Sequence, residues 1–114
     1  MIFFLKIFML VALFSISISS YSFGMELVKK LIELGSCPKC DLRGVDLKAA
    51  HLKWADLTGA NLSHSNLSGV NFAESHFTNS DLSNANLASA NLNEANLSGA
   101  NMKGADLRGA SLKL

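Results

Sequence analysis

Residues 80–104 decide the fold, and in groups of five they read SDLSN, ANLAS, ANLNE, ANLSG and ANMKG. A large apolar residue holds the third place of each group, a small residue holds the first, and Asn or Asp holds the second. The same five-residue period runs without a break from Cys40 to Leu114 and gives fifteen units, of which twelve have Asn or Asp at the second place. Self-similarity at a short fixed period is the sequence signature of a repeat architecture.

A five-residue period fits neither an ordinary helix nor a straight strand. On an α-helix, five residues advance by about 500°, so the third-place residues would spread around the whole surface. On a strand, residues five apart point to opposite faces. A short extended segment followed by a two-residue corner does fit, because places one and three then point inward and place two points outward. Glycine, which tolerates positive φ, holds the fifth place six times and suits such a corner.

Four corners close a square coil of about 20 residues, so units four apart stack upon one another. Their third-place side chains then form enclosed columns with small first-place residues between them. The core residues that this arrangement singles out are Leu47, Leu67, Leu87, Leu107, Phe72 and Phe77. On the outside, Asn side chains such as Asn66 and Asn86 are expected to hydrogen-bond along the stack.

These A(D/N)LxG-type units resemble the pentapeptide-repeat family over residues 40–114. The resemblance implies an all-β fold, a right-handed quadrilateral β-helix. Its motif is specific for the fold and says little about function. Within the family, quinolone-resistance proteins resemble a DNA duplex in shape and charge and inhibit gyrase.

Residues 1–24 have the layout of a secretory signal peptide. A cation at Lys6 precedes an apolar run over residues 7–18, and small residues follow it. We expect cleavage before Met25, or alternatively after Ser22, and no membrane contact afterwards. The alternative is a retained membrane anchor, although the apolar run is shorter than the roughly 20 residues that span a bilayer. The expected location is the periplasm or the extracellular space, or the thylakoid lumen if the source is cyanobacterial.

Residues 25–36 are predicted to form a short amphipathic capping helix and a linker, ahead of the β-helix at 37–114. Leu27, Val28, Leu31 and Ile32 share one helical face, and Gly35 ends the helix. The C-terminal coil has no such cap. An open β-helix end invites another chain, so we expect a homodimer through this coil. Alternatively, the basic fourth-place residues near both ends protect against open-ended stacking.

Cys37 and Cys40 form a C-x-x-C motif. A structural disulfide that fastens the capping helix to the first coil is the favoured interpretation, since exported proteins keep such bonds. A thiol redox site would need a thioredoxin-like context, and a zinc site would need a second pair of ligands. Free buried thiols are the remaining alternative.

The other polar residues follow the repeat and predict no catalytic, metal or cofactor site. His51 and His76 hold outward second places and His64 holds a corner, so they are expected to be solvated. After removal of residues 1–24, nine basic and nine acidic residues remain. A formally neutral chain has no field that would attract nucleic acid, and no nucleic-acid partner is expected.

Trp54 is the one unusual corner residue, and it is a candidate interaction hot spot. The alternative is that it lies under the capping helix or its linker. We therefore predict a non-enzymatic exported scaffold or protein-interaction module with an unknown protein partner. The alternatives are a DNA-mimicking inhibitor of an enzyme such as gyrase and, on the C-x-x-C motif alone, a thiol redox protein.

Overall fold

The computed structural model describes residues 15–114, in which one α-helix leads into a four-sided β-helix. Helix α1 spans Ser15–Leu34. The β-helix has no extended strands, because its backbone pairs through single-residue parallel bridges. Residues 1–14, which belong to the predicted signal peptide, lie outside the described residues.

Twelve parallel bridges set the register of the coils, from Ser36 with Asp56 to Asn91 with Ser111. Each bridge joins the second places of two units that are 20 residues apart, as in the pair Asn66 and Asn86. Four units therefore complete one coil, which confirms the predicted square geometry. The first bridge places the start of the β-helix at Ser36, one residue before the predicted boundary.

The corners lie at the fourth and fifth places of each unit. Every fifth-place residue from Lys39 to Gly109 has a positive φ, and nine of these residues are not glycine. Trp54, for example, has a φ of 63°. The left-handed conformation costs such a residue about 1–2 kcal/mol, so the backbone pairing on both sides of the corner must impose it.

Each middle unit with Asn or Asp at its second place satisfies all five of its backbone N–H groups. The second place donates to the coil before, the third and fifth places donate to the coil after, and the first place donates within the corner. The fourth-place N–H has no backbone acceptor, and the Asn or Asp side chain of the second place accepts it instead. In the unit 65–69 the bonds are Ser65 N to Leu62 O (3.2 Å), Asn66 N to Val45 O (2.8 Å), Leu67 N to Asn86 O (2.8 Å), Ser68 N to Asn66 Oδ1 (3.2 Å) and Gly69 N to Ala88 O (2.9 Å).

This local bond corrects the prediction of an outer Asn ladder. Asn66 and Asn71 accept the N–H groups of Ser68 and Ala73, two residues on, and do not bond along the stack. The fourth-place N–H has no other acceptor among residues 15–114, whereas the outward side-chain amides of neighbouring coils can bond to water instead of to one another. Asn and Asp therefore recur at the second place because they complete a corner.

The core is a closed column of third-place side chains walled by small first-place residues. Leu67, Leu87, Phe72 and Phe77 are fully buried and Leu47 nearly so. The two phenylalanine rings meet edge to face with centroids 4.9 Å apart. Leu107, in the last coil, is half-buried and packs against this core.

Helix α1 covers the N-terminal end of the column. It begins at Ser15, ten residues before the predicted start, and passes through the predicted cleavage point before Met25. Leu31 is fully buried, but Ile32, predicted on the same face, is 59% exposed because it lies at the flank of the contact. Gly35, with a φ of 65°, ends the helix and donates its N–H to Leu31 O at 2.8 Å. No helix within residues 15–114 has both the length and the apolar character to cross a bilayer.

Candidate interaction surface

Trp54 projects from a corner of the first complete coil. Its side chain is 64% exposed, so the alternative that α1 or the linker covers it is wrong. The Lys53 ammonium lies 4.3 Å from the centroid of the ring and 3.1 Å from Oε1 of Glu74. The hydrogen bond from Lys53 is the main cause that lowers the pKa of Glu74. The ring is therefore held by a cation on one face while much of its surface faces solvent.

The 20-residue register extends this corner into a ridge. Glu74 and Glu94 hold the same fifth place in the next two coils and are both exposed. The ridge formed by Trp54, Glu74 and Glu94 thus combines an aromatic ring with two carboxylates on a backbone that is hydrogen-bonded on both sides. Such a surface can offer apolar contact and charge to a partner without a loop having to become ordered.

The structure joins Cys37 and Cys40 in a disulfide, with Cα atoms 5.5 Å apart. Cys37 holds a third place and Cys40 the following first place, so both side chains point into the core. The expected link between helix and coil is wrong, because Ser36 already pairs with Asp56 and both cysteines follow it. The bond instead spans one corner of the first coil, beneath α1.

The histidines lie apart on the outer surface, and His51, His64 and His76 are all exposed. The backbone of His76 pairs with that of Asp56 in a parallel β-bridge. The pKa of Asp56 is lowered chiefly by a hydrogen bond from the Thr58 side chain, and the charge of His76 adds a smaller effect. Within the described part of the chain, no three His, Cys, Asp or Glu side chains are placed to hold a metal ion.

Two arginines pair with the aspartate two residues before them, near opposite ends of the stack. The Arg43 and Asp41 side chains meet at 2.7 Å, and so do those of Arg108 and Asp106. Hydrogen bonds from Arg108 lower the pKa of Asp106 to about 2. Because these pairs are exposed, they add little stability. They do hold each guanidinium against its own unit.

The last coil carries backbone groups that no residue in 15–114 pairs with. The third-place and fifth-place N–H groups, such as those of Met102 and Gly104, point along the stack axis away from the preceding coil. Their counterparts one coil earlier, Leu82 and Asn84, donate to Asn101 O and Lys103 O. Leu97, Met102 and Leu107 are only half-buried at this end. This edge therefore combines unused donors with accessible apolar groups.

Sequence reasoning missed the role of two buried serines. Ser75 Oγ donates to Leu52 O at 2.8 Å and accepts the N–H of Ala55 at 3.1 Å, which ties two coils together. Ser80 Oγ is buried and has no hydrogen-bond partner among residues 15–114. Both hold first places, and nothing in the repeat distinguishes them. The unit 35–39 does carry a signal that it belongs to the β-helix. Pro38 holds its fourth place and has no N–H, so the second-place residue, Ser36, does not need an Asn or Asp side chain to accept one.

A β-helix that turns after every fifth residue, with Asn or Asp completing most corners, defines a pentapeptide solenoid. The chain belongs to the Pentapeptide repeats family, whose profile matches residues 36–63, 55–93 and 75–113 with 8 copies. The match begins at Ser36, as the backbone pairing does.

Several solved structures are similar to this chain. HetL, a pentapeptide repeat protein involved in heterocyst differentiation regulation in Nostoc sp. strain PCC 7120, is 37% identical with a TM-score of 0.66. That alignment covers 67% of this chain and 35% of HetL, so the chain spans about a third of the length of HetL. A second protein from Nostoc PCC 7120 is 32% identical over 75% of this chain and 95% of its own, with a TM-score of 0.42. One from the thylakoid lumen of Arabidopsis thaliana is 30% identical over 67% of this chain and 53% of its own, with a TM-score of 0.34. No curated protein matches significantly.

Proposed function

We propose that this protein is a non-enzymatic scaffold that binds a protein partner through the ridge of Trp54, Glu74 and Glu94. The observation that carries the proposal is the 64% exposure of Trp54 on a corner whose backbone is fixed. Exposed tryptophan is enriched among the residues that dominate binding energy. A rigid ridge also loses little conformational entropy when a partner docks.

Quantitative co-purification from the native envelope fraction tests this proposal. Trp54→Ala should lose the captured partner, because it removes the aromatic contact. Asn84→Ala is the matched control, since Asn84 is also an exposed corner residue with positive φ and lies on another side of the coil. A partner retained equally by both variants would contradict the proposed site.

We place the scaffold in an exported compartment, the periplasm or the extracellular space, or the thylakoid lumen if the source is cyanobacterial. The support is the signal-peptide layout of residues 1–24. N-terminal sequencing of the protein from fractionated cells should find a mature chain that begins at Met25. An intact Met1 in the cytoplasmic fraction would contradict export, and an intact Met1 in the membrane fraction would favour the retained anchor.

We further propose that two copies associate through their last coils. The support is the edge of unused N–H donors and the half-buried Leu97, Met102 and Leu107. Sedimentation velocity should show a dimer whose population rises with concentration. Met102→Lys, which adds a charge to this edge, should shift it to the monomer. A wild-type protein that stays monomeric at high concentration would remove the proposal.

The alternative of a DNA-mimicking gyrase inhibitor has one observation in its favour. Residues 55–94 contain four carboxylates and no Lys or Arg. Duplex DNA, however, carries a charge about every 1.7 Å along its whole length. Here nine basic residues flank the acidic coils on both sides. Inhibition of supercoiling by sub-micromolar protein would favour the mimic, and a disulfide reductase assay separates the remaining redox alternative.

A further inference from the structure

Helix α1 and the core together enclose the Cys37–Cys40 disulfide. Cys37 is 0% exposed and Cys40 is 9% exposed. The sulfur of Cys37 lies 3.9 Å from the carbonyl oxygen of Leu27 in α1. The helix therefore sits directly over the bond, at the end of the column where no further coil within residues 15–114 covers the core.

Few side chains hold α1 in this position. Leu31 is fully buried, whereas Leu27 and Val28 are half-buried against the core. The neighbouring apolar residues Met25 and Ile32 are more than half exposed. Elements with few buried apolar contacts open at lower free energy than the whole fold. Helix α1 is thus placed to lift while the coils stay paired.

The first coil is paired to the next coil by backbone bonds that involve neither α1 nor the two sulfurs. Cys37 N donates to Asp56 O at 2.9 Å, Lys39 N donates to Thr58 O at 2.8 Å, and Asp56 N donates to Gly35 O at 2.9 Å. Together with the bond from Asn61 N to Cys40 O at 2.9 Å, they pair the whole stretch from Gly35 to Cys40 with the next coil. A change in the bond between the sulfurs can therefore occur with the backbone ladder intact.

We propose that α1 is a lid that controls thiol–disulfide exchange at Cys37–Cys40, and that the reacting partner is a dithiol reductant. A thiolate of the dithiol attacks Sγ of Cys40, the more exposed of the two cysteines, and the S–S bond breaks. Cys37 leaves as a thiolate and takes up a proton. The second thiol of the reductant, as its thiolate, then attacks the mixed disulfide and releases Cys40, so the dithiol is oxidised to its disulfide and the protein gains two thiols.

With α1 closed, two features oppose this reaction. Cys40 is only 9% exposed in the closed state, which leaves an attacking thiolate little access to its sulfur. The departing Cys37 thiolate would also form among apolar side chains and beside the Leu27 carbonyl oxygen, where a negative charge is disfavoured. Lifting the helix removes both obstacles, because water then reaches the leaving sulfur.

The rate of reduction of the full-length oxidised protein tests the lid. The probe is dithiothreitol, and alkylation with mass spectrometry counts the thiols that appear. Leu31→Ala weakens lid docking and should speed reduction by about tenfold or more. Ile32→Ala is the matched control, since this exposed neighbour loses a similar apolar volume, and its rate should stay within about twofold of wild type.

Amide hydrogen exchange in the same variants distinguishes lid opening from unfolding. In Leu31→Ala, α1 should exchange faster while the Leu67 amide, deep in the stack, keeps its protection. Faster exchange of α1 with an unchanged reduction rate would overturn the proposal. So would a reduction rate that follows the loss of protection at Leu67. If Leu31→Ala does not fold, Leu27→Ala replaces it and is judged by the same outcomes.

Discussion

The two middle coils and the last coil are built from the same unit, yet they differ in burial. In residues 55–94 every third-place side chain is fully buried, whether it is Leu or Phe. In residues 95–114 Leu97, Met102 and Leu107 are half-buried, and Leu112 is 39% exposed. The middle coils have a paired coil on both sides, whereas the last coil has one on a single side.

The difference shows that a unit obtains its stability from its neighbours and not from its own sequence. In a solenoid, stability is approximately a sum over repeats and the interfaces between adjacent repeats. The same substitution should therefore cost more in the middle coils than in the last coil. Four substitution experiments, taken in order of decreasing effect, test this dependence.

The largest difference is expected between Leu67→Asp and Leu107→Asp, which lie in one column. Leu67 is fully buried between two coils, so an unpaired carboxylate there should cost more than about 4 kcal/mol and abolish the cooperative thermal transition. Leu107→Asp should fray the last coil and lower Tm modestly, because water reaches its carboxylate. Circular dichroism melts measure both, and a cooperative melt retained by Leu67→Asp would contradict the stacked core.

Two serines sharpen the comparison within the middle coils. Ser75→Ala removes an oxygen that bonds to both Leu52 and Ala55, and it should destabilise the protein by about 1–3 kcal/mol. Ser80→Ala removes a buried hydroxyl without a partner, so it should be neutral or stabilising. Chemical denaturation measures the two changes. Equal losses would mean that the Ser75 bonds do not hold the coils together.

The Asn corners provide a smaller test. Asn91→Ala leaves the N–H of Asn93 without its acceptor in a half-buried corner and should cost about 1 kcal/mol. Asn101→Ala should cost less, because the exposed N–H of Lys103 can turn to water. Asn91→Asp is the control, since it keeps an acceptor oxygen. A loss of the same size in Asn91→Asp would point away from the corner bond.

Acid should produce the smallest effect. The pKa of Asp106 is lowered to about 2, below the value of about 3.9 in an unfolded chain. Its contribution to stability is therefore complete above about pH 4 and is lost as the pH falls towards about 2. As the pH is lowered over this range, the Tm of Asp106→Asn should fall slightly less steeply than that of the wild type. Asp56→Asn, in a middle coil, should act in the same direction, since the pKa of Asp56 is also lowered. An unchanged slope in both variants would contradict the assignment.

The coil and its core could be predicted because the period constrains the geometry so tightly. Only a corner after every fifth residue brings Leu67 and Leu87 into one column, and the bridges between Asn66 and Asn86 have that register. The disulfide partners could also be proposed from their spacing. Their position within the coil could not, because the unit that contains Cys37 has Ser and Pro in place of the usual residues.

The remaining features depend on contacts that a repeat does not encode. An outward Asn side chain can bond either to an Asn of the next coil or to a backbone N–H of its own corner. The second arrangement occurs because the fourth-place N–H has no backbone acceptor. Helix α1 runs from Ser15 through Met25, although residues 15–24 also read as part of a signal peptide. The exposure of Trp54 depends on where α1 crosses the first coil. The sequence alone does not determine that position, so it is compatible with either a covered or an exposed Trp54.

The central claim is that second-place N–H groups donate to the preceding coil and third-place N–H groups to the following coil. Amide hydrogen exchange at two adjacent residues tests it most directly. Asn101 N donates to Ser80 O of the preceding coil at 2.9 Å, whereas Met102 N points away from that coil and has no acceptor within residues 15–114. In dilute full-length protein, the Asn101 amide should exchange about 100-fold more slowly than the Met102 amide, and Leu82, which donates to Asn101 O, should be protected as well. Equal exchange at Asn101 and Met102 would contradict the stacked coils.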